Sequence, residues 1–327
     1  MVKLKKIIYK LIFIIILFLI VCSYLFNYKR PKVVREVKVS EVTHSVFYTP
    51  MYVAKEKGFF KENGIDLNLT TTPGADKVAS SVLNGSADIG FSGSETTIYI
   101  YNKHEKDYLK SFARLTNKDG SFIITRKKYK NFKIKDLKGK EIIGGRKNGM
   151  PELTLRYILK KNKLKAKVNN DVSFDAMASA FISGMGDAVT LFEPTATELI
   201  KKGYGYKAAA LGAFSGSVPY TSYYAKKSFI NNNKELIKRF IKSIDMGLEY
   251  TNTHDKKCLA KIIKNEFPNT SIKDLENAIG NYQEIKAWPK NSSFSKEDFN
   301  RMQEIMISGN ALEKITNYKD LVYDIRN

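Results

Sequence analysis

The chain is poor in the residues that disulfide and metal chemistry depend on. Cys22 and Cys258 are its two cysteines, and His44, His104 and His254 its three histidines. Two cysteines make no disulfide framework, and neither falls at a metal-ligand spacing. No Ser–His–Asp order and no paired-carboxylate arrangement stands out, so the sequence reads as a non-enzyme with no metal and no cofactor. Acids are also in deficit: 33 Asp and Glu oppose 55 Lys and Arg, for a formal net charge of +22. The lysines run along the whole chain, with no long basic block and no Arg-rich cluster. Such charge reads as a solvated surface, weakly attracted to an anionic membrane or wall without a dedicated site, and it does not point to nucleic acid.

The apolar run Leu11–Cys22 follows Lys3, Lys5, Lys6 and Lys10 and is extended by Tyr24, Leu25 and Phe26. Its length lies between an export-signal core and the about 20 residues needed to span a bilayer. Leu19-Ile20-Val21-Cys22 resembles a bacterial lipoprotein box, with Cys22 as the lipidation site and Val21 where a small residue is usual. Residues 1–28 are therefore expected to be a signal, lipoprotein or membrane-anchor segment. Each reading, lipoprotein, uncleaved anchor or cleaved secreted protein, puts the folded part outside the membrane, and the two anchored ones hold it at the extracytoplasmic face of the cell membrane.

At 327 residues the chain suits two modest lobes plus an anchor. An internal repeat supports that division. The segment Asp76–Asp88 matches Asp175–Asp187 without a gap, pairing Gly85 with Gly184, and upstream Asn63 and Ile65 fall on Asn162 and Leu164. Helical stripes recur in both copies, Val78, Ala79, Val82 and Leu83 in one and Met177, Ala178, Phe181 and Ile182 in the other. The glycines end these helices, and apolar strands follow at 89–91 and 188–191. Alternating strands and helices build a sheet covered on both faces, so the expected fold class is α/β with two similar lobes. Strands at 121–125 and 220–225 are expected to cross between them as a two-segment hinge. Lobe one is then 36–123 plus 225–327, and lobe two 124–224. The tail after Asn233 carries a helical stripe from Ile237 to Leu248 and is assigned to lobe one.

The stretch His44–Leu69 organises the first lobe. A strand at 37–42 feeds a polar loop, Thr49 is placed to cap a helix with Pro50 in its first turn, and Gly58 closes it. Ligands of open α/β sheets bind beyond the carboxyl ends of the strands, at helix N-termini. That rule selects Ser45, Tyr48, Thr49 and Tyr52, then Gly93, Ser94 and Glu95 in lobe one. In lobe two it selects Asn148, Gly149, Met150 and Glu152, then Phe192 and Glu193, with Tyr220 on the return segment. Aromatic faces beside the carboxylates of Glu95, Glu152 and Glu193 suit a planar heterocycle bearing N–H donors, such as an aminopyrimidine. Arg146 and Lys147 offset these acids in part, and each Glu has a competing reading as a helix cap. Gly144-Gly145 lacks the Gly-Lys-Ser/Thr ending of a phosphate loop. His44, beside the first loop, reads either as a ligand contact or as structural.

The segments Pro50–Leu67 and Asp136–Gly145 resemble the substrate-binding proteins of ABC importers, in the subfamily that takes up nitrate, sulfonates, taurine and thiamine-pyrimidine precursors. The resemblance implies a periplasmic-binding-protein fold of type 2 that closes on its ligand by lobe rotation. It also implies a small-molecule ligand and delivery to an ABC permease and its ATPase. The turn after Gly144 departs from the Gly-Ser-Thr form common in sulfonate and nitrate members. A pyrimidine-synthase enzyme shares this scaffold but needs clustered His and Cys around iron. A membrane-tethered sensor or wall-binding protein would use the basic surface instead.

Overall fold

The computed structural model describes residues 34–325 and Ile16. The lipidation site expected at Cys22, and the anchor segment 1–28 apart from Ile16, lie outside the described residues.

Among the described residues, ten strands form two five-stranded sheets. The first contains β1 (Arg35–Glu41), β2 (Ile65–Thr71), β3 (Ile89–Gly93) and β4 (Leu109–Thr116). The second is built from β5 (Phe122–Thr125), β6 (Glu141–Ile143), β7 (Lys167–Asn169), β8 (Ala188–Leu191) and β9 (Tyr206–Ala210), and β10 (Thr221–Lys226) returns to the first. Strand order is β2-β1-β3-β10-β4 in one sheet and β7-β6-β8-β5-β9 in the other. The two plans are the same: a parallel pair, β1 with β3 or β6 with β8, flanked by one antiparallel strand, β10 or β5. That antiparallel strand is the one each sheet receives from the far side of a crossing.

The repeat seen in the sequence carries equivalent hydrogen bonds. Asp88 accepts from the Lys38 amide at 2.9 Å and Asp187 from the Glu141 amide at 3.0 Å, each joining the start of one parallel strand to its neighbour. Asn63 and Asn162 each close a helix by donating to the carbonyl four residues back, Phe59 and Ile158. Gly85 and Gly184 take positive φ, 83° and 104°, where a Cβ would be strained.

The chain passes from the first sheet to the second across 117–121 and comes back across 216–220. Phe122 and Ile123, expected in the first lobe, pair within the second sheet, and Thr221–Tyr224, expected in the second, pair within the first. The reason is that strands at the crossings are complete members of the sheet they enter, and the pivot is the loop before them. The tail also departs from expectation. Helix Lys234–Thr253 buries Ile237, Phe240, Ile241, Ile244 and Leu248 against the first lobe. Helices Ile272–Glu284 and Lys296–Ser308, however, also pack on the second lobe, against Thr195–Lys201 and Met150–Lys161. One large apolar core accordingly runs through both lobes and the tail.

Candidate functional site

Where the two sheets face each other, the carboxyl ends of β1, β3, β6 and β8 bring their loops together. Phe47 is at the centre, fully buried, with ring centroids 5.7 Å from Phe192, 5.9 Å from Tyr220 and 4.9 Å from Tyr282. Tyr48 packs edge-on to Phe91 at 4.5 Å, and Phe192 also meets Phe174 at 5.7 Å. Ser45 Oγ donates to the Glu193 carbonyl at 2.7 Å, and the Met150 amide donates to Glu95 Oε1 at 3.4 Å. At the rim Tyr99 donates to the Asn148 carbonyl at 2.8 Å, and Arg146 forms an ion pair with Asp76. These contacts join first-lobe to second-lobe residues, so the cleft between the sheets is shut.

Inside it, polar atoms are buried without a hydrogen-bond partner. Ser94 Oγ and Glu95 Oε2 come from the end of β3, Thr154 Oγ1 from helix Met150–Lys161, and Asp119 Oδ2 and the Tyr220 hydroxyl from the two crossings. An orphaned buried group costs about 1–3 kcal/mol, so five of them on these facing elements make the cleft the candidate site. Ser94 sits at the N-cap of helix Glu95–Tyr101 yet its side chain makes no capping bond; its amide donates to the Tyr220 carbonyl at 3.2 Å and its carbonyl accepts from the Thr97 hydroxyl at 3.1 Å. Asp119 Oδ1 is held by the Ser121 amide at 2.7 Å and the Ser121 hydroxyl at 2.5 Å, leaving Oδ2 facing Tyr220 and Thr154 outside hydrogen-bonding geometry.

The electrostatics are one-sided. Burial pushes the Glu95 carboxyl up to about 7, against the opposing pull of the helix and Met150 amides. Burial likewise raises Asp119 to about 6, with Ser121 opposing. Arg146, which acts on Glu95 from the rim, is taken up by Asp76. Two sequestered carboxyls with no paired cation favour a ligand that brings hydrogen-bond donors or positive charge.

Several residues selected from the sequence are used otherwise. The Tyr52 hydroxyl is taken up behind the first loop: it accepts from the Ser45 amide at 3.3 Å and donates to buried Glu41 at 2.9 Å, beside His44. His44 is structural, bridging Glu41 at 2.8 Å and the Glu266 carbonyl at 2.9 Å. Thr49 does not cap; its hydroxyl donates back to Val46, while Ser45 caps the preceding turn by accepting from Phe47. Glu152 is consumed by Arg156, Asn170 and the Asn148 amide. Glu193 caps helix Thr195–Lys201 by accepting from Thr197 at 2.9 Å and is held by Asn281 at 2.7 Å. Gly93, Ser94, Glu95, Met150, Phe192 and Tyr220 do converge, with Ser45, Tyr48, Asn148 and Gly149 around them. At Gly93 a Cβ would meet the Glu95 carboxylate, so a larger residue there would displace that side chain. Asp119 and Thr154 were not selected. Asp119-Gly120-Ser121 carries a turn signature, and Thr154 lies one helical turn beyond Met150, which is the signal that points to it.

Two α/β lobes, joined by two crossings and closed on a sequestered polar cluster, define the class: a periplasmic-binding-protein fold. Residues 46–257 match the model of the NMT1/THI5-like family, and the chain belongs to that family. A Bacillus subtilis (strain 168) protein named as a binding protein, YtlA, is 38% identical over 298 residues, covering 90% of this chain and 89% of that one. Among solved structures, the alkanesulfonate-binding protein SsuA from Xanthomonas axonopodis pv. citri, bound to MOPS, superimposes with a TM-score of 0.69 at 15% identity over 88% of this chain and 98% of its own. The periplasmic nitrate-binding protein NrtA from Synechocystis PCC 6803 gives 0.66 at 14% identity over 85% and 81%.

Proposed function

We propose that this protein is the extracytoplasmic substrate-binding component of an ABC importer, and that it captures a small planar heterocycle bearing N–H donors, of the aminopyrimidine or thiamine-precursor kind. The observation that carries the reading is the pair of raised, uncompensated carboxyls, Glu95 and Asp119, among orphaned hydroxyls in a shut aromatic cleft. Exocyclic amino and ring N–H groups satisfy such acceptors, while Phe47, Tyr48, Phe192 and Tyr220 supply flat faces for the ring. Ser45, Asn148, Gly149 and Met150 shape the rim, and release delivers the solute to a permease powered by its ATPase. A sulfonate or nitrate ligand, as in the names of the structural relatives, is the competing reading. It would place an anion against two acids, which repels it unless both are protonated.

A thermal-shift and calorimetric series with aminopyrimidines, taurine, an alkanesulfonate and nitrate separates the two. Stabilisation by an aminopyrimidine, weakened in Glu95→Gln and Asp119→Asn, is expected. Tight binding of an anion with no response to aminopyrimidines overturns the ligand assignment. We also propose that the protein is held at the extracytoplasmic face by lipidation of Cys22, which becomes the N-terminus when the preceding residues are cleaved. Detergent-phase partitioning of the expressed protein, lost in Cys22→Ala, is the expected result.

A further inference from the structure

Folding brings two lysine-dense stretches of the sequence together. Residues 126–140 place cations at 126, 127, 128, 130, 133, 135, 138 and 140 against a single acid, Asp136. Residues 160–167 add lysines at 160, 161, 163, 165 and 167. The two stretches are neighbours: the Gly139 amide donates to the Lys165 carbonyl at 2.8 Å and the Lys167 amide to the Lys140 carbonyl at 2.9 Å. Beneath them Ile134, Leu137, Ile158 and Leu159 share one core cluster with Leu164 and Ala166. All these cations except Lys140 are exposed. Glu141 and Asp187 neutralise only Lys167 and Lys140, both at 3.2 Å. The patch covers the end of the second lobe where β6 and β7 begin, opposite the end of β6 that leads into the cleft loop at 144–150.

We infer that this face is a docking surface for an anionic phospholipid bilayer. Three features favour that partner. Its cations are almost all lysines, which act as point charges toward diffuse phosphates, where a built phosphate site would use the bidentate fork of arginine. Tyr129 and Phe132 lie within the run, edge-on at 5.5 Å and half-exposed, as aromatic side chains are placed at a headgroup boundary. The charge also stands on the end of the lobe remote from the cleft, so contact with a membrane leaves the ligand loops free. The inference does not depend on the identity of the solute.

The test incubates the full chain with vesicles of phosphatidylcholine alone or enriched in phosphatidylglycerol, and reads lysine acetylation by mass spectrometry. On anionic vesicles Lys130, Lys133, Lys135 and Lys163 are expected to react about threefold more slowly than on neutral ones, and high salt should abolish the difference. Lys257 and Lys273, on the helical tail, should react equally on both. Lys130→Glu with Lys133→Glu and Lys135→Glu should remove the protection at Lys163. Equal labelling on the two vesicle types overturns the inference. So does protection by soluble DNA or teichoic acid with none on phosphatidylglycerol, which would make the face a general polyanion site.

Discussion

Replacing Glu95 by glutamine removes a group whose charged form the shut cleft disfavours. The carboxyl stands at about 7 in the folded protein against an ordinary value of 4.5. Below pH 4.5 it is protonated in both the folded and unfolded states, and its contribution to stability does not change with pH. Between 4.5 and 7 the unfolded chain releases the proton while the folded protein retains it, so stability falls as pH rises through that window. At about 1.36 kcal/mol per pH unit, the loss comes to about 3 kcal/mol by pH 7 and stays constant above it. Opening of the cleft hydrates the carboxylate, which makes about 3 kcal/mol a ceiling. For a domain of this size, 1 kcal/mol moves the melting temperature by about 2 °C. Melting curves of wild type and Glu95→Gln from pH 4.5 to 8 read the effect as a difference of differences, cancelling any pH-independent cost of burying the amide. The variant is expected to gain about 4–6 °C on wild type between pH 4.5 and pH 8. A gap that stays constant with pH, or narrows as pH rises, refutes the reasoning.

Other substitutions probe the frame around the site. Tyr282 accepts from the Glu193 amide at 3.0 Å and donates to the Gly120 carbonyl at 3.1 Å, so Tyr282→Phe should cost about 1–3 kcal/mol in urea unfolding; no loss would mean that the tail does not brace the lobes. Gly247 lets helix Lys234–Thr253 lie against Thr49–Glu56, and a Cβ there meets the Pro50 carbonyl. Gly247→Ala should destabilise by about 1–3 kcal/mol by the same assay, and a neutral effect would disprove the close packing. The Arg146–Asp76 pair is more than half exposed on both sides, so Asp76→Asn should weaken solute binding by less than about fivefold, and only at low ionic strength. A large, salt-independent loss by calorimetry would show that the rim pair does more than latch.

The two-lobed plan was legible because a duplication repeats its punctuation. Gly85 with Gly184 and Asp88 with Asp187 recur for backbone reasons, a left-handed turn and a strand-edge bond, that leave little freedom in residue type. The boundaries slipped by a few residues because nothing local distinguishes the last residues of a crossing from the first residues of the strand it enters. The loops selected at strand ends do meet between the sheets, but the fate of each acid was not visible. Glu152 and Glu193 satisfy nearby amides as helix-start acids do, whereas Glu95 is aimed across the cleft. Only the opposite lobe decides between those outcomes. The partner of Tyr52 was hidden for a similar reason: Glu41 is the buried acid that ends β1, and a lone acid ending a strand gives no sign of what it holds. The basic face was hidden in the same way, since its two stretches meet only through the pairing of β6 with β7.

Asp119 and Tyr220 do not ride on the jaws of the molecule. They belong to the short spans about which the halves turn, and both present unmatched oxygens inward. Under the binding function proposed above, a guest that satisfies them leans on the axle itself. Its presence biases the angle between the halves at the source, so a solute too small to reach both rims still stiffens the joint.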